Sequence, residues 1–403
     1  MSYVQERIVH DADSHVMETR DWLEPFIEQA FKGKLPPVLG EGANRIDGIV
    51  KEAKQRKSDP AADAKAADNP IAGVKGWGAY GAFDPGERKQ VLDNLGFASQ
   101  LVFPTAGLFP MRSAPDEATK YAVTRAYNRA VSAFCAEDPR LIPVAFVPLD
   151  NTELAVAGAK EALDLGCGAV MFPNSAANGR SPGHTDLNPF WELLCERDVP
   201  FMLHIGQGTM TQPPEFRNNG RERAPDLHGG GENLRFCDYP MLWFAPQIFL
   251  TAMVYDGVFM RMPELRGGVI ESAAGWVPEF LRALDIGRRA FGRTDPYLKA
   301  MDMPPSEYLR RAVKFTPFPS EDAGRIIRDG GADLFMFSSD YPHPEGTTDP
   351  LGRFQASMQG LDEVTQDKFF RRNFEAMLGA RAHKAAQAQQ ARLSAGASAA
   401  TVA

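Results

Sequence analysis

Four side chains that commonly bind metal ions stand in or at the ends of short apolar segments: Asp13 and His15 in the first segment, His204 at the end of 199–204, and Asp340 at the end of 333–340. Continuously apolar runs of this length are typical of strands buried on both faces. A parallel barrel brings the carboxyl ends of its strands to one rim, where distant residues meet. Two carboxylates and two imidazoles suit Zn²⁺, Mn²⁺ or Fe²⁺. We therefore expect one divalent metal ion, Zn²⁺ as first choice and Mn²⁺ as second.

Acid and base candidates lie at the same rim. Glu271 ends the apolar run 267–271, and His343 follows Asp340 by three residues in a proline-flanked turn. Glu271, Asp340 and His343 are the predicted catalytic residues, with His343 expected to orient a metal ligand by hydrogen bonding. Alternatives remain open: Glu271 could pair with Arg266 or Arg282 inside the fold, and the ligand candidates could merely cap strand ends.

Substrate contacts are predicted for His228, Phe103 and Trp243, although the sequence favours a place in the core for both aromatic rings. His228 lies within 206–240, a long segment rich in Gly, Pro and Asn. Long loops in compact domains are usually functional. We expect this segment to cover the site as a lid. Glu18 is a weaker candidate, because it could serve only as a helix cap.

Composition narrows the class of partner. The chain has 403 residues and a formal net charge of −8, with a pI near 5.5. These values argue against nucleic acid or an anionic membrane surface and favour a small-molecule substrate. Four cysteines form no CxxC pair, so we expect reduced thiols and a cytoplasmic protein. No apolar run approaches the roughly 20 residues of a membrane span, and the first residues lack a signal-peptide core.

Apolar strand-like runs alternate with helical patterns from residue 83 onwards. This alternation predicts an α/β fold, a (β/α)₈ TIM barrel with long rim loops, formed by a single domain over 1–380. An open doubly wound sheet is the competing architecture. Strands seven and eight are expected in 311–316 and 333–338. We predict an N-terminal insertion at about 32–81, partly mobile, and a tail over 381–403 that is disordered or a frayed helix.

Several motifs occur in the order of a known family: Asp-Ala-Asp-Ser-His-Val-Met-Glu at 11–18, His-Ile-Gly at 204–206, Gly-Val-Phe-Met-Arg-Met-Pro-Glu-Leu at 257–265, Glu-Ser-Ala-Ala-Gly-Trp-Val-Pro at 271–278 and Ser-Asp-Tyr-Pro-His-Pro-Glu at 339–345. Together they resemble the amidohydrolase-related family over residues 7–378. This branch includes aminocarboxymuconate-semialdehyde decarboxylase and the non-oxidative aromatic acid decarboxylases. The resemblance implies metal ligands at Asp13, His15, His204 and Asp340.

The resemblance also bears on the reaction. Asp13 occupies a position where hydrolytic members commonly have His, which favours decarboxylation, whereas Glu271 replaces the His that donates a proton in the decarboxylases. We expect a metal-dependent, non-oxidative decarboxylase of a small unsaturated or aromatic acid. The alternative is a hydrolase of an amide, ester or C–C bond that uses metal-activated water. A non-catalytic, metal-stabilised binding protein would leave Glu271 and the rim loops unexplained.

The sequence also bears on the oligomeric state. Members of this family are commonly homodimers. The segment 241–262 is more hydrophobic than one buried helix face requires. The sequence therefore predicts a homodimer.

Overall fold

A curled parallel sheet forms the centre of the fold. The computed structural model describes residues 2–40, 43–206, 214–221 and 239–402. Within these residues seven parallel strands follow one another in sequence order across the sheet. Every strand residue is buried, as the continuously apolar runs predicted. The strands are β1 (His10–Val16), β2 (Ser99–Pro104), β3 (Leu141–Phe146), β4 (Ala169–Met171), β5 (Phe201–His204), β6 (Gly267–Ile270) and β7 (Val313–Phe315).

Helices pack around this sheet, and many begin at a capping side chain. The Asp84 carboxylate accepts a hydrogen bond from the Glu87 N–H at 3.0 Å, ahead of Pro85 at the first helical position. Among the described residues, no helix is both long enough and apolar enough to cross a membrane. The helices are α1 (Ala43–Arg56), α2 (Pro60–Asp68), α3 (Pro85–Leu95), α4 (Phe109–Arg112), α5 (Glu117–Cys135), α6 (Thr152–Asp164), α7 (Asn188–Glu196), α8 (Phe244–Tyr255), α9 (Val258–Arg261), α10 (Val277–Phe291), α11 (Pro296–Ala300), α12 (Pro305–Ala312), α13 (Ala323–Gly330), α14 (Pro350–Ser357), α15 (Glu363–Asp367), α16 (Asn373–Leu378) and α17 (Ala380–Val402).

The segment 334–341 links the two edges of the sheet, but it is not a regular strand. The Phe315 N–H of β7 donates to its Leu334 carbonyl at 2.8 Å, and the His15 N–H of β1 donates to its Tyr341 carbonyl at 2.7 Å. The N–H of Phe337 instead donates outside the sheet, to the Phe369 carbonyl at 3.0 Å. The expected α/β architecture with a curled parallel sheet is confirmed, whereas an eighth regular strand is not.

The predicted insertion contains α1 and α2 and then returns to the sheet. The Trp77 indole N–H donates to the Glu18 carbonyl at 2.9 Å. The Gly76 N–H donates to the Pro342 carbonyl at 2.8 Å, which fixes the end of the insertion against the segment that carries Asp340.

The chain ends in a helix where the sequence predicted a disordered tail or a frayed helix. Ala382, Ala386 and Gln389 are buried on one face of α17. Ala386 packs with Ile8 and Ala98, and the Gln389 amide donates to the Gly96 carbonyl at 3.0 Å. In this part of the tail small alanine side chains provide a packing face, which a search for large apolar residues misses.

Candidate metal centre

Three strands of the sheet and the segment 334–341 bring the predicted ligands and Glu271 to one place. Asp13 and His15 lie on β1, His204 is the last residue of β5, and Glu271 directly follows β6. Asp340 lies in the segment 334–341, where its N–H donates to the Asp13 carbonyl at 2.9 Å. All five side chains are buried. The parallel strands therefore bring these residues together as expected from their positions at strand ends.

The nitrogen and oxygen atoms of the cluster converge on a small volume. His15 Nε2 lies 3.2 Å from Asp13 Oδ1, 3.5 Å from Asp340 Oδ1 and 3.9 Å from Glu271 Oε2. His204 Nε2 lies 3.4 Å from both Asp13 Oδ1 and Glu271 Oε2. These spacings are those of ligand atoms around a shared ion.

Two overlapping sets of four residues could each hold a metal ion. Within each set the ligand atoms lie within 4.8 Å of one another. One set contains Asp13, His15, His204 and Glu271, and the other contains His15, Glu271, Asp340 and His343. Glu271, predicted as a catalytic residue, is thus as well placed to bind a metal as the predicted ligand Asp340.

Backbone carbonyls orient both imidazoles. His15 Nδ1 lies 3.0 Å from the Pro104 carbonyl, and His204 Nδ1 lies 3.1 Å from the Ile205 carbonyl. Because a carbonyl can only accept, each Nδ1 carries the proton and each Nε2 presents its lone pair to the centre. The Phe103 ring packs against the His204 ring with centroids 4.6 Å apart. Phe103 borders the cluster and is fully buried in the core, and its contact with a substrate stays a prediction.

The electrostatics of the cluster suit a cation. Burial acts to raise the pKa of Asp13, but the neighbouring His15 and His204 imidazoles outweigh it and lower that pKa. Burial and the charge of Asp13 raise the pKa of Asp340 well above its ordinary value. Burial lowers the pKa of His15 to about 3, so its ring is neutral, as metal binding requires. Among the described residues, none donates a hydrogen bond to Asp340 Oδ1 or Oδ2. A divalent ion would compensate these carboxylates.

Comparison with known proteins identifies the family of the chain. The sequence profile of the amidohydrolase family matches residues 11–380. The chain belongs to the amidohydrolase family. The resemblance predicted from the motifs is thereby confirmed, and the protein is an enzyme of the amidohydrolase superfamily. No curated protein matches the chain.

Solved structures share the fold of this amidohydrolase. An amidohydrolase from Mycobacterium avium subsp. paratuberculosis K-10 is 22% identical with a TM-score of 0.71, covering 93% of this chain and 99% of its own. A 5-carboxyvanillate decarboxylase from Novosphingobium aromaticivorans, complexed with manganese and 4-hydroxy-3-methoxy-5-nitrobenzoic acid, is 18% identical with a TM-score of 0.61, covering 94% and 97%. A 2,6-dihydroxybenzoate decarboxylase from Rhizobium is 16% identical with a TM-score of 0.61, covering 92% and 98%.

Left-handed backbone holds two of the carboxylates of the amidohydrolase in place. Glu271 has φ of 51° and Asp340 has φ of 53°, a region that non-glycine residues rarely adopt. Such conformations cost about 1–3 kcal/mol each and cluster at functional sites. The Glu271 N–H donates to Thr316 Oγ1 at 3.0 Å. The Glu321 carboxylate accepts the Gly275 N–H at 2.8 Å, which fixes the turn after β6.

Asp11 holds the cluster in place through hydrogen bonds, and it was not predicted as a site residue. Its carboxylate accepts hydrogen bonds from the Ser339 N–H at 2.8 Å, the Ser339 hydroxyl at 2.6 Å and the Gln100 amide at 2.7 Å. Burial raises its pKa to about 7 against these hydrogen bonds. Asp11 thus ties β1 to the segment that carries Asp340. Its spacing of two residues from Asp13 on an extended strand was the available signal.

His343 lies beside Asp340, as predicted. Its Nδ1 is 3.1 Å from Asp340 Oδ1, and its Nε2 is 2.9 Å from the Thr105 hydroxyl. Its ring stacks on the ring of His15 with centroids 4.0 Å apart. Glu18, by contrast, acts as a backbone cap, because its carboxylate accepts the Ala106 N–H at 2.7 Å.

The other sequence candidates have different positions. Arg266 forms an ion pair with Asp198, and Arg282 pairs with Glu279, so the described contacts of these arginines do not include Glu271. Trp243 lies at the start of α8 with its ring 6.2 Å from that of Phe244. His228 and most of the proposed lid lie outside the described residues, and their roles stay predictions.

Proposed function

We propose that this amidohydrolase is a metal-dependent, non-oxidative decarboxylase of a small aromatic or unsaturated acid. The observation that supports this proposal is the buried carboxylate–imidazole cluster at the strand ends. The cluster lies in a fold shared with decarboxylases of 5-carboxyvanillate and 2,6-dihydroxybenzoate. A carboxylate at Asp13, rather than an imidazole, agrees with the decarboxylase pattern inferred from the motifs.

One divalent ion would be held by Asp13, His15, His204 and Asp340. The donor set suits Zn²⁺ or Mn²⁺, and manganese is present in one of the similar structures. When bound, the ion would polarise an oxygen of the substrate as a Lewis acid. The remaining chemistry belongs to the side chains around it.

We assign the proton transfer to Glu271. Its carboxyl group donates a proton to the carbon that bears the substrate carboxylate, and the new C–H bond takes its electron pair from the π system of the substrate. The bond from that carbon to the carboxylate then breaks, its electron pair restores the π system, and CO₂ leaves. Glu271 must take up a proton again before the next turnover. Asp340 and His343, whose facing atoms are 3.1 Å apart, offer a path toward the Thr105 hydroxyl for that proton.

Hydrolysis is the second candidate, and the position of Glu271 is the observation that favours it. An ionised carboxylate 3.4 Å from His204 Nε2 is placed to accept a proton from an attacking water. The same residue would then act as a general base. The two functions differ in whether Glu271 gives or takes the proton.

Turnover of a panel of substrates distinguishes decarboxylation from hydrolysis. Protein loaded with Mn²⁺ or Zn²⁺ is incubated with hydroxybenzoates, muconate-type acids, amides and esters in ¹⁸O-labelled water. Decarboxylation releases CO₂ without ¹⁸O in the organic product, and Glu271→Gln abolishes the release. Glu264→Gln, a change at an exposed site, serves as the control and keeps it. Product that contains ¹⁸O without CO₂ release would replace decarboxylation by hydrolysis.

A further inference from the structure

The end of the insertion, residues 75–80, packs against the residues that follow Asp340. Besides the contact between Gly76 and Pro342, the Tyr341 hydroxyl donates to the Tyr80 carbonyl at 2.5 Å. Residues 75–80 are therefore attached to the segment that immediately follows Asp340. Lys75 is the first residue of this stretch.

The ammonium group of Lys75 is buried without a hydrogen-bond or ion-pair partner among the described residues. Its Nζ makes no hydrogen bond with them, and it lies 5.5 Å from the centroid of the Tyr341 ring. Burial lowers the pKa of Lys75 to about 8, while the charge of Asp340 acts in the opposite direction. The cation thus belongs to the electrostatic environment of Asp340.

Two other lysines of the chain form ordinary ion pairs with carboxylates. Lys57 pairs with Asp84 at 2.5 Å, and Lys368 pairs with Asp333 at 2.6 Å, both with partly exposed side chains. A buried polar group without a hydrogen bond costs free energy. Lys75 carries this cost beside Tyr341, the residue that follows Asp340, and a bound anion would remove it.

The type of anion follows from the reaction, so this step rests on the proposed decarboxylation. A cation that held the departing carboxylate would stabilise the substrate more than the transition state and would oppose loss of CO₂. Lys75 is better suited to an anionic oxygen that stays on the product. We propose that Lys75 forms an anion subsite that binds a second anionic oxygen of the substrate, either a second carboxylate or an ionised phenol.

Direct binding tests this subsite. Isothermal titration of Mn²⁺-loaded protein compares a dicarboxylate (5-nitroisophthalate), an acidic phenol (4-hydroxy-3-nitrobenzoate) and a monoanion (3-nitrobenzoate). A charge-assisted hydrogen bond is worth about 10- to 100-fold in affinity. Lys75→Met is expected to weaken binding of at least one of the two dianions by this factor while changing the monoanion less than about threefold. The dianion that loses affinity identifies the group that Lys75 binds.

Three controls make the result specific. Lys75→Arg keeps the charge and should retain most of the dianion affinity, and Lys57→Met, in the same insertion, should leave all affinities unchanged. The melting temperature of Lys75→Met should equal or exceed that of the wild type, because the substitution removes a buried charge that has no hydrogen bond and gives up only the contact with the Tyr341 ring. A lower melting temperature together with equal losses for all three ligands would mean a structural role and overturn the proposal.

Other outcomes are also decisive. Unchanged dianion binding in Lys75→Met overturns the subsite, as does wild-type protein that binds monoanions and dianions equally or binds none of them. The proposed decarboxylation is judged separately by CO₂ release. Selective loss of dianion binding in a protein that releases no CO₂ would preserve the subsite and reject the reaction.

Discussion

Two carboxylates compete for the fourth ligand position beside Asp13, His15 and His204. Asp340 was predicted as a ligand, yet Glu271 lies in the same set of ligand atoms as the other three. We expect Asp340→Asn to weaken metal binding more than about tenfold, since loss of even an outer-shell partner costs roughly 10- to 100-fold. Glu271→Gln should still bind one ion per chain, because a proton donor is not needed to hold the metal.

Elemental analysis after dialysis against a defined metal buffer measures this difference. His204→Ala is the positive control for metal loss, and the exposed Glu264→Gln is the negative control. If Glu271→Gln loses the metal and Asp340→Asn keeps it, the two carboxylates exchange their roles. Asp340 would then be the proton carrier, next to His343.

Glu18 gives the protein a pH-dependent stability. Burial raises its pKa from 4.5 to about 7, despite hydrogen bonds from backbone N–H groups. In the unfolded chain the carboxyl ionises near pH 4.5, whereas in the folded protein it keeps its proton until about pH 7. The folded state therefore loses stability as the pH rises through this window, by roughly 3 kcal/mol, and the loss is complete above it.

Urea denaturation at pH 5 and pH 7.5 tests this assignment. Glu18→Gln cannot ionise, so it should lose about 2 kcal/mol less than the wild type between these two pH values, which span most of the window. Glu24→Gln, which is exposed, should follow the wild type. Parallel behaviour of wild type and Glu18→Gln would contradict a raised pKa at this site.

Single residues also show what the sequence could predict. Asp13, His15, His204, Glu271 and Asp340 were recognised because each ends or closely follows an apolar run, and the parallel sheet then brings such ends together. Lys75 had no comparable signal. It lies in an insertion without hydrophobic periodicity, so its approach to Tyr341 depends on tertiary contacts that no local pattern records.

Strands could be predicted from the sequence where their backbone hydrogen bonds follow a regular pattern. The segment 334–341 has the apolar composition of a strand, but its N–H groups have different kinds of acceptors. Those of Phe337 and Ser339 bond to the Phe369 carbonyl and the Asp11 carboxylate, respectively. The apolar composition of a segment indicates that it is buried. It cannot distinguish a regular β-ladder from hydrogen bonds to such different acceptors. The irregular backbone nevertheless serves the site, because Asp340 needs its left-handed conformation there.

Helix α17 supplies a test at the level of elements. Ala386 is 5% exposed and packs with Ile8 and Ala98, whereas Ala388 on the same helix is exposed. We expect Ala386→Asp to lower the free energy of unfolding by about 2–4 kcal/mol, because it buries a charge in an apolar contact. Ala388→Asp should stay within about 0.5 kcal/mol of the wild type. Equal effects in chemical denaturation would mean that the helix does not pack as described.

Assembly concerns the whole molecule. The apolar helix α8 buries one face, but Ile248 on it remains 59% exposed. We predict that α8 contributes to a homodimer interface. Light scattering at micromolar concentration should give about twice the chain mass of 44.2 kDa, and Ile248→Glu should shift the protein toward monomer. A wild-type mass near that of one chain would reject the prediction, while the exposed change Lys160→Glu on α6 controls for added charge alone.

Metal binding should stabilise the entire fold, because it joins distant parts of the chain. Asp13 and His15 come from β1, His204 from β5 and Asp340 from the segment that links the sheet edges, so unfolding separates all of them. The carboxylates among them also repel one another when no cation is bound. An ion that binds only the folded state at 100 times its Kd adds about 2.7 kcal/mol to the free energy of unfolding. For 403 residues this corresponds to roughly 3 °C in Tm. Thermal unfolding with MnCl₂ and after chelation should show this shift in the wild type and not in His204→Ala. The same shift in both proteins would place the stabilising ion elsewhere on the molecule.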